Sequence, residues 1–114
     1  MTTSSASLLT IFGATGDLAQ RMLLPSLYGL ESDGLLSPSL KLLGTARSGL
    51  DDAAFRDFVA QSIAKFVPAE LQRETTLQAL LARVRYQPAS LDDADSMRTL
   101  AERIRSLRDG DVLY

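Results

Sequence analysis

The sequence has 114 residues, enough for one domain and too few for two. Hydrophobic residues make up 46% and charged residues 23%, ordinary values for a globular chain, which exclude a disordered tail, a collagen-like fibre and a low-complexity linker. Lys plus Arg number 12 and Asp plus Glu 14, a net charge of −2 with no basic run to hold nucleic acid or an anionic membrane surface.

Cysteine and histidine are both absent. Disulfides, thiolate nucleophiles, Cys/His zinc sites and an imidazole general base are therefore ruled out within these residues. No apolar run exceeds four residues, far too short to span a bilayer. The opening Met-Thr-Thr-Ser-Ser-Ala-Ser has neither the positive start nor the apolar core of a signal peptide. Residues 1–7 are expected to be a mobile polar tail, and the protein to be cytoplasmic.

Taken in chain order, Leu8 to Phe12 is a short apolar run ending at Gly13, which predicts a buried strand. Helical spacing follows from Asp17 to about Asp33, with Leu18, Met22, Leu23, Leu27 and Leu30 near one face. Pro25 falls inside this pattern and removes the bond to the carbonyl of Arg21, so a kink or local break is expected there. Gly34 is positioned as a C-cap. Leu40 to Leu43 predicts a second strand closed by Gly44-Thr45. From Asp51 the period is helical again through Phe55, Phe58, Val59, Ile63 and Phe66. Pro68 can open a further helix that turns Leu71, Leu77, Leu80 and Leu81 inward. Val84 to Gln87 predicts a third strand, and Asp92 to Leu107 a helix with Met97, Leu100, Ile104 and Leu107 as its stripe, ended by Gly110. Val112-Leu113-Tyr114 begins a fourth strand.

Strands alternating with helices predict βαβ units, right-handed crossovers and a parallel sheet. The expected fold is a Rossmann-like three-layer α/β sandwich over residues 8–114, incomplete at its C-terminal end. The stop in mid-strand reads as the N-terminal half of a doubly wound domain from a longer protein. A complete small domain with a short edge strand is the alternative.

The stretch Ile11-Phe12-Gly13-Ala14-Thr15-Gly16-Asp17-Leu18-Ala19 lies between a strand and a helix, the context in which a glycine-rich loop holds phosphate. Gly13 can turn the chain out of the strand, Gly16 lets a pyrophosphate approach the backbone, and Ala19 lets the helix pack closely on the strand. The helix N-terminus favours negative charge. The pattern G-x-x-G-x-x-A is a relative of the dinucleotide fingerprint rather than a match. A tight turn with Asp17 as a helix cap is the competing account. A P-loop is excluded because no Lys-Ser or Lys-Thr follows the glycines.

The run Gly-Ala-Thr-Gly-Asp-Leu-Ala-Gln-Arg-Met-Leu-Leu-Pro-Ser-Leu-Tyr resembles the opening motif of the glucose-6-phosphate 1-dehydrogenase family, in which G-[AG]-[ST]-G-D-L-A is followed by a basic pair and an in-helix proline. Gly44-Thr45-Ala46-Arg47-Ser48 is similar to the family's G-x-[AG]-R segment, and the resemblance continues to the end of the chain. It implies cofactor contacts from Gly13, Ala14, Thr15, Gly16, Asp17, Leu18, Ala19 and Gln20, from Arg47 and Ser48, and from Ser90 and Leu91 at the adenine end. Met22 stands where family members often carry a lysine, which removes one expected phosphate contact; Arg21 beside it keeps some charge.

The residues at the second strand point the same way independently. An NAD site usually has an acid there for the ribose hydroxyls. This chain has Gly44-Thr45 and then Arg47, whose guanidinium fork suits a 2′-phosphate, so NADP is the expected cofactor. Asp92 and Asp93 read as a helix start rather than a metal pair, because no third ligand is in view.

By the same resemblance, the whole protein oxidises glucose 6-phosphate with hydride transfer to NADP⁺, using a histidine base and a substrate-phosphate site in later motifs. The 114 residues carry no catalytic group of their own. Apolar surface left open on such a piece leads us to expect a homo-oligomer. Another dinucleotide-dependent oxidoreductase, such as an extended short-chain dehydrogenase, and a non-catalytic nucleotide-sensing module remain as alternatives.

Overall fold

The computed structural model describes residues 8–111, with side chains through Leu107. Three strands, β1 (Leu8–Phe12), β2 (Lys41–Ala46) and β3 (Val84–Pro88), form a parallel sheet in the order β1-β2-β3. The register aligns Ile11 with Gly44 and Gly44 with Tyr86, so the strands end level with one another. The expected tail and the expected fourth strand at Val112 lie outside the described residues.

The first crossover is helical from Asp17, widens into a five-residue π turn, Ala19–Leu23, and continues as α1 (Leu24–Ser32). The backbone N–H of Leu24 bonds the carbonyl of Ala19, five residues back, and Pro25 lies in the first turn of α1. The expected break at Pro25 is thus resolved by widening the preceding turn, which accommodates a residue that has no N–H to donate. Gly34 takes φ +72°, and Leu35 bonds back to the carbonyl of Leu30, ending the helix as expected.

The second crossover holds α2 (Asp52–Phe66), a 3₁₀ turn (Ala69–Leu71) and α3 (Glu74–Arg83). Asp51 caps α2 by accepting from the N–H of Ala54 at 2.8 Å. The helix expected to open at Pro68 is replaced by the 3₁₀ turn, and α3 starts only at Glu74. Leu71 is 56% exposed and does not turn inward. What fixes this segment is Tyr28, whose hydroxyl accepts from the N–H of Arg73 at 2.7 Å and donates to the Leu71 carbonyl at 3.2 Å. The last helix, α4, runs from Ala94 to Asp111, so Gly110 lies within it rather than ending it.

The main core joins Ile11, Leu24, Leu27, Tyr28, Leu42, Phe55, Val59, Ile63, Leu80 and Tyr86, which packs α1, α2 and α3 on one face of the sheet. Strand alternation sends Leu43 and Thr45 to the other face; both are buried, as is Leu100 of α4, which lies against β3 and β1. β2 is therefore covered on both faces, the condition for a parallel sheet. The architecture is a partial Rossmann-like α/β sheet. β2 runs through Gly44-Thr45 to Ala46 instead of closing there. Gly44 is a packing residue, not a turn: a Cβ on it would lie 2.5 Å from Phe55 Cζ.

Candidate functional site

Level strand ends bring three loops together at the C-terminal edge of the sheet, the place where open α/β folds bind their ligands. A cleft of about 730 Å³ opens there, lined by Phe12, Gly13 and Thr15, by Thr45, Ala46, Arg47 and Ser48, and by Ala89, Ser90, Leu91 and Asp92. Its size is that of a small-molecule site.

The first loop is built as its glycines require. Gly13 has φ +68°, a left-handed conformation that glycine adopts without strain. Gly16 follows a tight turn in which its N–H bonds the Gly13 carbonyl at 2.9 Å; a Cβ on it would meet that same carbonyl at 3.1 Å. The loop is moored to the second strand by Ala14, whose N–H bonds the Thr45 carbonyl at 3.1 Å. Ala14 and Ala19 are buried, so each is small for packing reasons. The helix runs from Asp17, with the Gly16 carbonyl accepting from the N–H of Gln20 at 3.1 Å, and the Asp17 carboxylate pairs with Arg21 one turn on, at 3.3 Å. The capping role considered for Asp17 is not what holds the helix start.

At the second loop, Thr15 and Ser48 face each other with hydroxyl oxygens 3.3 Å apart, beside Arg47. Arg47 is exposed and has no ion pair within 4 Å among the described residues. Its backbone is held from below. Tyr86 is buried, and its hydroxyl donates to the Ser48 carbonyl at 2.7 Å, with the Ala46 carbonyl at 3.2 Å. Burial pushes the Tyr86 phenol above its ordinary range, partly offset by the Ala46 bond, so it remains a neutral donor.

At the third loop, the N–H of Ala89 bonds the Ala46 carbonyl at 2.8 Å, and the N–H of Ser90 bonds Ser96 Oγ at 2.7 Å. The Ser90 hydroxyl donates to Asp92 Oδ1. That bond, then the backbone N–H of Asp92 and finally the charge of Arg47, hold the Asp92 carboxyl below the usual range. Asp93 caps the helix through the N–H of Asp95 at 3.0 Å, as its position before α4 suggests. Leu91 is fully open to the cleft side at 75% exposure.

Of the twelve residues expected at the site, Gly13, Thr15, Arg47, Ser48, Ser90 and Leu91 line the cleft. Ala14, Gly16, Asp17, Leu18, Ala19 and Gln20 continue along the loop and helix start outside its wall. Sequence reasoning missed Phe12, Thr45, Ala46, Ala89 and the cleft position of Asp92, and also Tyr86 beneath the second loop. An aromatic with a polar tip in the middle of the third strand was the available signal for Tyr86. Thr45 carries a further mark. It is 2% exposed, and its Oγ1 has no hydrogen-bond partner among the described residues.

The model of the glucose-6-phosphate dehydrogenase NAD-binding domain matches residues 10–113. The chain belongs to the glucose-6-phosphate dehydrogenase family. The chain is 37% identical over 112 residues to glucose-6-phosphate 1-dehydrogenase of Zymomonas mobilis, covering 98% of this chain and 23% of that protein. It is 36% identical over 109 residues to the Leuconostoc mesenteroides enzyme, covering 96% and 22%. A solved structure of glucose-6-phosphate dehydrogenase in complex with its substrate glucose-6-phosphate superposes with a TM-score of 0.80 at 28% identity, over 96% of this chain and 23% of that one. The Mycobacterium avium enzyme superposes at 0.76 and 27% identity, over 88% and 21%. The chain thus spans less than a quarter of the length of these relatives, and matches the dinucleotide-binding part of the glucose-6-phosphate dehydrogenase family. The short-chain dehydrogenase alternative is set aside. No helix of the described residues is long and apolar enough to cross a membrane.

Proposed function

We propose that this chain is the NADP⁺-binding part of a cytoplasmic, homo-oligomeric enzyme that oxidises glucose 6-phosphate at C1 to 6-phosphoglucono-lactone. The cofactor supplies the hydride acceptor; the residues of this chain bind and orient it. The loop from Gly13 to Gln20 takes the pyrophosphate, Arg47, Ser48 and Thr15 take the 2′-phosphate, and Ser90 and Leu91 border the adenine.

Features of the cleft support a nucleotide as the ligand. The first loop is glycine-built and enters its helix through Gly16, which has no side chain to cap the helix that runs from Asp17 and so leaves that end available to an anion. The orphaned Thr45 hydroxyl, at the cleft wall, is a buried polar group in want of a partner. One observation carries the choice of NADP⁺. Beyond the end of β2, where an NAD site has an acid, an unpaired Arg47 stands beside the two facing hydroxyls of Thr15 and Ser48.

Removing one charged hydrogen-bonding partner of a phosphate costs about 1.5–3 kcal/mol. Arg47→Ala in the full-length chain should therefore weaken NADP⁺ binding by about ten- to a hundred-fold, with little change for NAD⁺. Titration of both cofactors at low and high salt measures it. Equal losses for both cofactors would make Arg47 a structural residue, and no loss would remove it from the site.

A further inference from the structure

Arg47 is the one cation among the described residues that line the cleft, and Asp92 is the one anion. They come from different loops, after β2 and after β3, and those loops are fixed to each other by the bond from the Ala89 N–H to the Ala46 carbonyl at 2.8 Å. Asp92 is itself held in place. The Ser90 hydroxyl donates to its Oδ1, and the Ser90 backbone is tied to Ser96 of α4. The two charges are not an ion pair: no contact within 4 Å joins them, yet the field of Arg47 reaches the Asp92 carboxyl.

We propose that Asp92 is a specificity-determining residue of this cleft: its fixed carboxylate opposes the negative charge that the 2′-phosphate adds to an adenine nucleotide and so narrows the preference for the 2′-phosphorylated nucleotide over the one with a free 2′-hydroxyl. The inference rests on the reading of Arg47 as the 2′-phosphate partner. A cleft with Arg47 alone would present a full positive charge to that phosphate. With Asp92 on the adjoining loop, part of the attraction is cancelled before any nucleotide arrives, and the bound phosphate is repelled at the same time. A nucleotide with a free 2′-hydroxyl meets neither effect. Because Asp92 is exposed, the interaction acts through solvent and is open to screening by salt. The carboxyl is held below its usual range, so it remains charged wherever these nucleotides are titrated.

The test uses adenosine 2′,5′-bisphosphate and adenosine 5′-monophosphate, which differ only in the 2′-phosphate, with the full-length chain and its Asp92→Asn and Arg47→Ala variants. Asparagine keeps an oxygen for the Ser90 hydroxyl and removes the charge. Asp92→Asn should tighten the bisphosphate by roughly three- to ten-fold and move the monophosphate by less than about two-fold, with the gain fading at high salt. No change in either nucleotide, or an equal gain in both, overturns the proposal. A loss in both would also overturn it and would make Asp92 an acceptor for the base amine. The Arg47→Ala arm separates the two readings. If that variant does not lose the bisphosphate selectively, the assignment of Arg47 fails and takes the role of Asp92 with it. If it does and Asp92→Asn is silent, only the role of Asp92 fails.

Discussion

Gly44 sits in the central strand, where glycine weakens a sheet unless something needs the space. Here Phe55 needs it. Its ring lies under the strand, tilted against Tyr86 with centroids 4.8 Å apart and stacked on Phe58 at 6.0 Å. A Cβ on Gly44 would fall 2.5 Å from Phe55 Cζ and 2.9 Å from the Ala14 Cβ. Both neighbours are buried, so neither can swing into solvent. Gly44→Ala should lower the unfolding free energy by about 1–3 kcal/mol, the usual cost of overpacking. Chemical denaturation measures it, and an unchanged midpoint would mean the ring yields freely. The displaced ring also presses on Tyr86, whose hydroxyl positions the backbone beside Arg47. Tyr86→Phe should cost about 0.5–1.5 kcal/mol and, on the proposed role of Arg47, weaken dinucleotide binding even though Arg47 itself is kept. Its pH signature is distinct. A phenol whose folded pKa is raised keeps its proton in the folded state after the unfolded chain has lost it. Stability is therefore level below the unfolded value near pH 10 and falls as pH rises beyond it. The phenylalanine variant should lack that part of the alkaline loss, which a denaturation series across the range would detect.

Elements with strong periodicity were legible in the sequence: three strands, the capped α2, and the stripe of α4 all lie where their apolar spacing predicts, within a few residues. Boundaries failed where a long-range contact outweighed a local signal. Gly44 reads as punctuation and is instead a packing vacancy that Phe55 fills, which no local pattern reveals. Pro68 reads as a helix start, but the Tyr28 hydroxyl, some forty residues away, bonds the Leu71 carbonyl and the Arg73 N–H across an extended Gln72–Arg73 backbone, and α3 is delayed to Glu74. Pro25 was legible as a disturbance, whereas its resolution as a π turn depends on how α1 must pack. The candidate site divides in the same way. Gly13, Thr15, Arg47 and Ser90 follow from motif and strand-end position, while Thr45 and Tyr86 enter through burial and Asp92 through the fold of its loop. Thr45 offers a direct check of this difference. Its unpartnered hydroxyl costs the free protein stability, so Thr45→Val should leave the protein as stable or more stable by up to about 1 kcal/mol. If the hydroxyl serves the ligand, the same substitution should weaken nucleotide binding several-fold. A fall in stability would show that the hydroxyl has a partner in solution.

At the scale of the whole molecule, the layers on the two faces of the sheet must be joined around its β3 edge, and Asp52 makes that joint. Its Oδ1 accepts from the N–H of Tyr86 at 2.7 Å, taking up a backbone donor of β3 from the first turn of α2. The same carboxylate accepts from Arg103 of α4 at 2.9 Å. One side chain thus ties α2, β3 and α4, and it blocks a strand edge that would otherwise be open to pairing. The two bonds differ in worth. The Arg103 pair is about one-third exposed on each side and is screened by solvent, so Arg103→Ala should cost less than about 1 kcal/mol. Asp52→Ala removes the same pair and also strips a part-buried backbone N–H of its acceptor, a penalty of about 1–3 kcal/mol. The double variant should then be hardly less stable than Asp52→Ala alone, because Arg103 has lost its partner already. Urea denaturation of the four proteins closes the cycle. Equal effects of the two single variants would place the joint in the ion pair, and additive effects would show that Arg103 stabilises α4 by some contact other than Asp52.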